Sequence, residues 1–167
     1  MQPKNPPAAE AGEAFWRFSL ALYARPGVAP ALIALQDRAG HDVNLILFCL
    51  WAGAVRGLRL DTAMLATAET AVADLRRELV EPLRALRRRL KADPAADVQA
   101  LRRQVLVLEL AAERRVQYRL AAQTVPAAAA EPIAAANANL ALYLGPETKS
   151  AEAEIVRAAL GALARHQ

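Results

Sequence analysis

The chain is poor in the residues that most often carry metal ions or enzymatic chemistry. It has one cysteine, Cys49, and two histidines among 167 residues. A lone cysteine cannot form an intramolecular disulfide, so we expect a cytoplasmic protein kept in a reducing compartment. The sequence also lacks a glycine-rich phosphate loop, a His-Glu-x-x-His segment and a cysteine pair at metal-binding spacing. We therefore expect no metal site and no cofactor, and a non-enzymatic role is favoured over an enzymatic one.

Glycine and aromatic residues are also scarce. The chain contains seven glycines, and aromatic residues make up 5% of it. Alanine and leucine dominate instead, a balance that favours helices over strands. No segment shows the alternation of apolar and polar residues that is typical of a strand. The sequence therefore predicts an all-α protein, a compact helical bundle with a long antiparallel helical hairpin.

The charge balance and the apolar runs limit the class of protein further. Twenty-one Lys and Arg residues stand against 17 Asp and Glu residues, a net charge of +4, which is low for a dedicated nucleic-acid binder. The uncharged run 43–55 is too short to cross a bilayer, which takes about 20 residues, so we expect no transmembrane segment. Residues 1–10 are rich in proline and predict a disordered N-terminal tail. Residues 11–167 predict a single all-helical domain.

The most apolar segment runs from His41 to Trp51 and predicts a central helix. A helix that is apolar on all sides belongs in a protein core, so we expect Leu47, Leu50 and Trp51 to be buried. Asp42 is well placed to cap the start of this helix. Cys49 lies between Phe48 and Leu50, an environment that predicts an inert core thiol rather than a nucleophile.

Two long helices follow the central one. Residues 62–91 carry a seam of apolar residues at coiled-coil spacing, formed by Leu65, Val72, Leu75, Leu79, Leu83, Leu86 and Leu90. Pro82 is expected to kink or split this helix at Glu81. A second long helix is predicted over residues 95–123. The turn between the two is short, which predicts an antiparallel hairpin, and two further helices are predicted over 131–144 and 148–165.

Two segments of the chain resemble a known family. The sequences Phe15-Trp16-Arg17-Phe18-Ser19-Leu20-Ala21-Leu22-Tyr23 and Asp42-Val43-Asn44-Leu45-Ile46-Leu47-Phe48-Cys49-Leu50-Trp51 are similar to the opening of a family of small uncharacterised proteobacterial proteins. The resemblance extends loosely into the hairpin. It implies a bacterial, cytoplasmic, helical protein and supplies no activity.

Three polar residues at the start of the central helix form a candidate site. His41, Asp42 and Asn44 stand where free N–H groups and the helix dipole favour an anion. One interpretation is a small polar pocket with His41 as a proton carrier. The other is structural, with Asp42 as the helix cap and Asn44 as a buried amide whose hydrogen bonds are satisfied.

A cluster of basic residues is expected around the tip of the hairpin. Its members are Arg84, Arg87, Arg88, Arg89, Lys91, Arg102 and Arg103. Such a cluster could bind nucleic acid, an acidic protein or a membrane surface. The alternative, which the small net charge favours, is an ordinary solvated surface. No aromatic residue is interleaved with these cations, which weakens the case for stacking on single-stranded nucleic acid.

Three functional hypotheses follow from these features. The first is a non-enzymatic protein-interaction module that binds a protein partner or a second copy of itself. The second is a nucleic-acid-associated protein that uses the basic cluster. The third is a small-molecule binder or enzyme at the His41, Asp42 and Asn44 end of the central helix. An exposed apolar patch on the hairpin would favour the first, a continuous positive surface the second, and a concave pocket at His41 the third.

Overall fold

Helices make up the regular structure of the described part of the chain. The computed structural model describes residues 8–123 and 130–165. It contains the helices α1 (Ala8–Tyr23), α2 (Val28–Ala39), α3 (Val43–Ala54), α4 (Thr62–Leu75), α5 (Glu81–Leu90), α6 (Ala96–Ala121), α7 (Pro132–Leu144) and α8 (Ala151–Ala164). The all-α prediction is confirmed. Most of the expected N-terminal tail lies outside the described residues, and α1 begins at Ala8 rather than near residue 11.

Local capping residues set several of these boundaries. The carboxylates of Asp42 and Asp61 accept hydrogen bonds from the backbone N–H groups of Asn44 and Met64, each at 2.8 Å, which starts α3 and α4. Gly40 ends α2 in the left-handed conformation, with a φ of 72° that a residue with a side chain rarely adopts. The expected cap at Asp42 is confirmed.

Helix α3 lies at the centre of the core. Every residue from Val43 to Gly53 is buried, and the exposed fractions of Leu47, Leu50 and Trp51 are 2%, 0% and 2%. The ring of Trp51 stacks on Phe15 of α1 with the ring centroids 5.0 Å apart. The prediction that this helix is buried on all sides is confirmed. The helix is buried because its sequence provides no polar face to turn toward solvent.

Helix α7 packs closely along α3, an association that no pattern in the sequence indicated. At Gly53 an added Cβ would lie 2.7 Å from the carbonyl carbon of Ala135 and closer still to the backbone of Ala136. Asn139 of α7, which is fully buried, accepts a hydrogen bond from Leu60 N–H at 2.8 Å. Its amide group donates to the carbonyl oxygens of Cys49 and Leu58. These contacts join the C-terminal part of the chain to the central helix.

The long hairpin is antiparallel but its first arm is interrupted. A π-helical turn, Arg76–Val80, separates α4 from α5, and the N–H of Glu81 reaches back five residues to the carbonyl of Arg76. Pro82 has no N–H with which to continue the normal ladder, and a π-helical turn is a recognised way to absorb such a break. Arg119 of α6 pairs with Asp74 of α4, while Arg84 of α5 pairs with Glu113 of α6, as an antiparallel arrangement requires.

The interruption changes the apolar seam that the sequence predicted. Val72 is fully buried, but Leu79 is 45% exposed and every residue of α5 is at least partly exposed. The extra residue in the π-helical turn rotates the chain that follows it, so the predicted seam does not stay on one buried face. Leu79 is therefore not on the buried face where the sequence placed it, whereas the expected interruption at Pro82 is confirmed, because α5 begins at Glu81 after the π-helical turn.

Within the described ranges, no single helix is both long and apolar enough to cross a membrane; α1 and α2, bent by 102° relative to each other, pass the length and composition criteria only as a pair.

Candidate functional site

The polar groups of Asp42 and Asn44 are used within the fold. Besides capping α3, the Asp42 carboxylate lies 3.5 Å from Nη1 of Arg76, and the Asp42 N–H donates to the Tyr143 hydroxyl at 2.9 Å. The Asn44 side chain points toward α6, where its Oδ1 accepts a hydrogen bond from Nε2 of Gln117 at 3.0 Å. These contacts are the ones that the structural interpretation requires, with Asp42 as the helix cap and Asn44 as a hydrogen-bonded buried amide.

His41 lies at a small polar cavity beside these residues. Its ring is 5.2 Å from the ring of Tyr143, in a tilted arrangement. The cavity has a volume of about 260 Å³ and is lined by His41, Asp42, Arg76 and residues around them. Burial raises the pKa of the Tyr143 hydroxyl further above neutral pH. The structure thus brings the three predicted residues to one concave site without leaving the Asp42 or Asn44 side chain free.

Cys49 is enclosed in the core. Its side chain is fully buried, and burial raises the pKa of its thiol well above the usual range. A thiol that stays protonated is a poor nucleophile. Within residues 8–123 and 130–165, no three side chains of His, Cys, Asp or Glu are grouped as metal ligands.

The basic cluster is divided by ion pairs with α6. Glu109, only 3% exposed, accepts hydrogen bonds from Nε of Arg84 at 3.2 Å and from Nη2 of Arg87 at 3.1 Å. A second and shorter contact joins Nε of Arg87 to the other oxygen of Glu109. Arg88 pairs with Asp37 of α2 at 2.9 Å. Three of the seven basic residues therefore pair with carboxylates, Arg84 and Arg87 in part-buried contacts and Arg88 in an exposed one.

A second carboxylate extends this network toward α1. Glu113 accepts a hydrogen bond from Nη2 of Arg84 at 2.8 Å. Burial raises the pKa of Glu113, and the nearby Arg84 guanidinium opposes that rise. Burial also raises the pKa of Tyr23, with Glu113 adding to the effect. Arg84, Glu109 and Glu113 together form a charged floor between the hairpin and the N-terminal helices.

This charged floor belongs to a cleft of about 410 Å³ between α1, α2 and the α5–α6 hairpin. A volume in this range is typical of pockets for small molecules, which run from about 300 to 1,000 Å³. Ser19, Asn44 and Gln117 also line the cleft; all three are buried and joined in a chain of hydrogen bonds. Because their polar groups are satisfied by one another, they form a rigid base to the cleft.

The outward side of α6 carries a second unusual surface. Six exposed residues, spaced alternately four and three apart, form a stripe that we call the α6 seam: Asp97, Leu101, Gln104, Leu108, Ala111 and Arg115. Leu101 and Leu108 are 49% and 57% exposed. The alternation of four and three is the spacing of a coiled-coil contact. The buried residues of α6 include Val105, Ala112, Val116 and Leu120, so the α6 seam lies on a different face of the same helix.

A model of one protein family matches most of the hairpin and the N-terminal helices. The family is described as "Protein of unknown function (DUF2390)", and the match covers residues 14–120. The chain belongs to the DUF2390 family. The matched region includes both sequence segments that carried the resemblance, together with the whole lining of the cleft and the whole α6 seam. No curated protein and no solved structure matches the chain.

Sequence reasoning missed the two acidic residues that organise the cleft. Glu109 and Glu113 lie four residues apart on α6, and Arg84 and Arg87 lie three apart on α5. Residues at these spacings share one helix face. The sequence therefore contained enough information to predict that two acidic residues face two basic residues across the antiparallel hairpin. The useful pattern for predicting the cleft was the opposite charge of the facing sides of α5 and α6, not the total positive charge at the tip of the hairpin.

Proposed function

We propose that this protein is a non-enzymatic helical interaction module that pairs with a second copy of itself through the α6 seam. The two copies of α6 lie antiparallel in this arrangement. The observation that carries the proposal is the exposed heptad-spaced stripe from Asp97 to Arg115, which has three apolar residues and one uncharged polar residue inside and one charge at each end.

The apolar part of α6 supports an interface on its outer side. The run Val105-Leu106-Val107-Leu108 is apolar around the whole helix, although only Val105 is buried, and Val107 is 66% exposed. Helices at a protein surface usually carry polar residues on the outward face, and a helix that is apolar all round is usually covered. Exposed apolar patches mark interaction sites in otherwise polar surfaces.

The charges of the α6 seam favour a second copy as the covering partner. Within residues 8–123 and 130–165, neither Asp97 nor Arg115 forms an ion pair. An antiparallel copy places Asp97 opposite Arg115 of the other chain at both ends of the contact. The same register places Leu101 opposite Ala111 and Gln104 opposite Leu108. The stripe is thus complementary to itself in one orientation only, as a two-fold interface requires.

Sedimentation equilibrium over a wide range of protein concentration tests the proposal. We expect a monomer–dimer equilibrium that shifts to monomer on dilution, because a contact between two single helices is smaller than a standard stable interface. Replacing Leu101 and Leu108 together by Gln should weaken the dimer at least tenfold. Val107→Gln is the matched control, because Val107 is more exposed than either leucine but lies off the seam. A wild-type protein that stays monomeric at all concentrations would refute self-association.

Charge reversal tests the antiparallel orientation separately. Asp97→Arg or Arg115→Asp alone should weaken the dimer, because each puts like charges opposite one another at both ends. The double variant carrying both changes should regain dimerisation, since opposite charges then face each other again. In a parallel dimer each of these positions would face its own copy, and the double variant would gain nothing. Failure of the double variant to recover therefore contradicts the antiparallel register.

A nucleic-acid role has weaker structural support. Arg84, Arg87 and Arg88 are engaged with carboxylates, which reduces the positive surface open to phosphate groups. An enzymatic role at His41 is weakened by the capping contacts of Asp42 and the amide contact of Asn44. Salt-sensitive binding to duplex DNA that is lost when Arg89 and Arg103 are changed to Gln would restore the nucleic-acid hypothesis.

A further inference from the structure

The cleft between α1, α2 and the hairpin has an apolar wall that remains open to solvent. Leu20 of α1 and Ile33 of α2 are 52% and 46% exposed, and Leu106 and Leu110 of α6 are 39% and 43% exposed. All four line the cleft, together with the indole of Trp16. Apolar side chains on three helices therefore converge on one concave surface of a size that suits a small molecule.

The cleft also carries an excess of positive charge. Five cationic residues line it, Arg84, Arg87, Arg88, Lys91 and Arg102, against two carboxylates, Glu109 and Glu113. The carboxylates are held by Arg84 and Arg87, and Arg88 is paired with Asp37. In the described part of the chain, Lys91 and Arg102 pair with no carboxylate.

Arg102 has a donor that the surrounding residues leave unsatisfied. Its Nε is buried and has no acceptor among the described residues, and its Nη1 lies 3.5 Å from Oε1 of Gln99. A buried donor without an acceptor is unfavourable, and a negatively charged oxygen is its strongest partner. The cationic end of the cleft is therefore suited to an anionic head group.

We propose that this cleft binds a small amphiphilic anion, a single alkyl chain with a carboxylate or phosphate head group. The head group lies at Lys91 and Arg102, and the chain extends along Leu20, Ile33, Leu106 and Leu110. Charge complementarity selects the head group, and burial of methylene groups against the apolar wall selects the chain. The site is independent of the α6 seam, because Leu101 and Leu108 do not line the cleft.

Titration with matched single-chain amphiphiles tests the proposal. The probes are decanoate, decyl phosphate and decyltrimethylammonium, each below its micelle concentration, with acetate as the head group without a chain. Trp16 lines the cleft and Trp51 is in the core, so a change in tryptophan fluorescence reports binding, and a Trp16→Phe variant identifies its source. Isothermal titration calorimetry measures affinity independently of the fluorophore. We expect decanoate and decyl phosphate to bind at least tenfold more tightly than the cationic amphiphile or acetate.

The relative affinities for decanoate and decyl phosphate show whether the cleft prefers a carboxylate or a phosphate head group. Hexanoate should bind at least tenfold more weakly than decanoate, since it buries fewer methylene groups. Equal affinity for the anionic and cationic decyl probes would overturn the proposal, because it would show that the charged wall does not select the head group.

A pair of double variants locates the head group. Lys91→Gln with Arg102→Gln should weaken decanoate binding at least tenfold. Arg89→Gln with Arg103→Gln removes the same charge from neighbouring positions that do not line the cleft, and it should leave affinity unchanged. Both variants alter partly or fully exposed side chains, and thermal unfolding followed by circular dichroism verifies that each is folded. Equal loss of affinity in the two variants would point to general electrostatics and would overturn the assignment of the site.

Discussion

Replacing Gly53 by alanine should destabilise the protein, although the same change in an ordinary helix stabilises it. Gly53 lies near the end of α3, where α7 crosses it closely. A Cβ at this position would lie 2.7 Å from the carbonyl carbon of Ala135 and would overlap the backbone nitrogen and Cα of Ala136. The obstructing atoms are all backbone, so no change of side-chain rotamer relieves the overlap. Helix α7 has to move away from the core.

Two opposing effects set the magnitude. Alanine is favoured over glycine in a helix interior by about 1 kcal/mol. Forcing an extra methyl group into a well-packed contact costs about 1–3 kcal/mol, and a clash with backbone places this site at the upper end. We therefore expect a net loss of about 2 kcal/mol in the free energy of unfolding. In a chain of this size that corresponds to a fall of roughly 4–8 °C in melting temperature.

Chemical denaturation with urea, followed by circular dichroism, measures the change. Gly161→Ala is the matched control, because Gly161 lies in α8 and its added Cβ would meet only Nη1 of Arg165 at an ordinary 3.7 Å. The control should gain about 0.5–1 kcal/mol. If Gly53→Ala is stabilised as much as the control, helix propensity dominates and the close α3–α7 contact described above does not exist.

Four further predictions follow from the buried polar groups. Asn139→Ala leaves one backbone N–H and two carbonyl groups without their partner and should lose about 1–3 kcal/mol for each orphaned group, measured by urea unfolding; a loss under 1 kcal/mol would contradict the bridge. Cys49 should resist a thiol reagent in the native protein and react fully once unfolded, and rapid native labelling would show that the core is open there. Burial raises the folded-state pKa of Glu113 above the ordinary 4.5, so the folded protein binds this proton more tightly than the unfolded chain does. The stability that this proton supplies is fully present below pH 4.5 and is lost as the pH rises through the raised pKa. The stability of Glu113→Gln relative to wild type should therefore increase from acid to neutral pH, and a constant difference in urea unfolding would refute the shift. Asp42→Ala should lose about 0.5–2 kcal/mol and Asp42→Asn less, since the amide oxygen can still cap α3; equal losses would assign the stabilisation to charge instead.

The sequence by itself determined the helices and many of their ends. The buried helix α3 follows from a run of apolar residues without a polar face, and the caps at Asp42 and Asp61 follow from side chains that reach their own backbone. Gly40 and Pro82 also act locally. Gly40 ends α2 because it adopts a positive φ, and Pro82 interrupts the hairpin arm because it has no N–H. Each of these effects extends over a few residues, so the information needed to predict it is contiguous in the chain. The family resemblance of the two N-terminal segments is likewise a property of contiguous sequence.

Only the tertiary structure decided which surfaces meet. The contact of Gly53 with α7, the burial of Glu109 between two arginines, and the cleft itself depend on helix faces that are distant in sequence. The predicted apolar seam fails at Leu79, which lies in the π-helical turn and is exposed while the next residue, Val80, is buried. A shift of one residue is invisible in the periodicity on either side of the turn. Helix formation is governed by local geometry, whereas the pairing of helices depends on the shape and charge of surfaces assembled from the whole chain. For that reason the sequence was sufficient to find the basic cluster. It was not sufficient to predict which of the cluster's residues form ion pairs and which have no carboxylate partner.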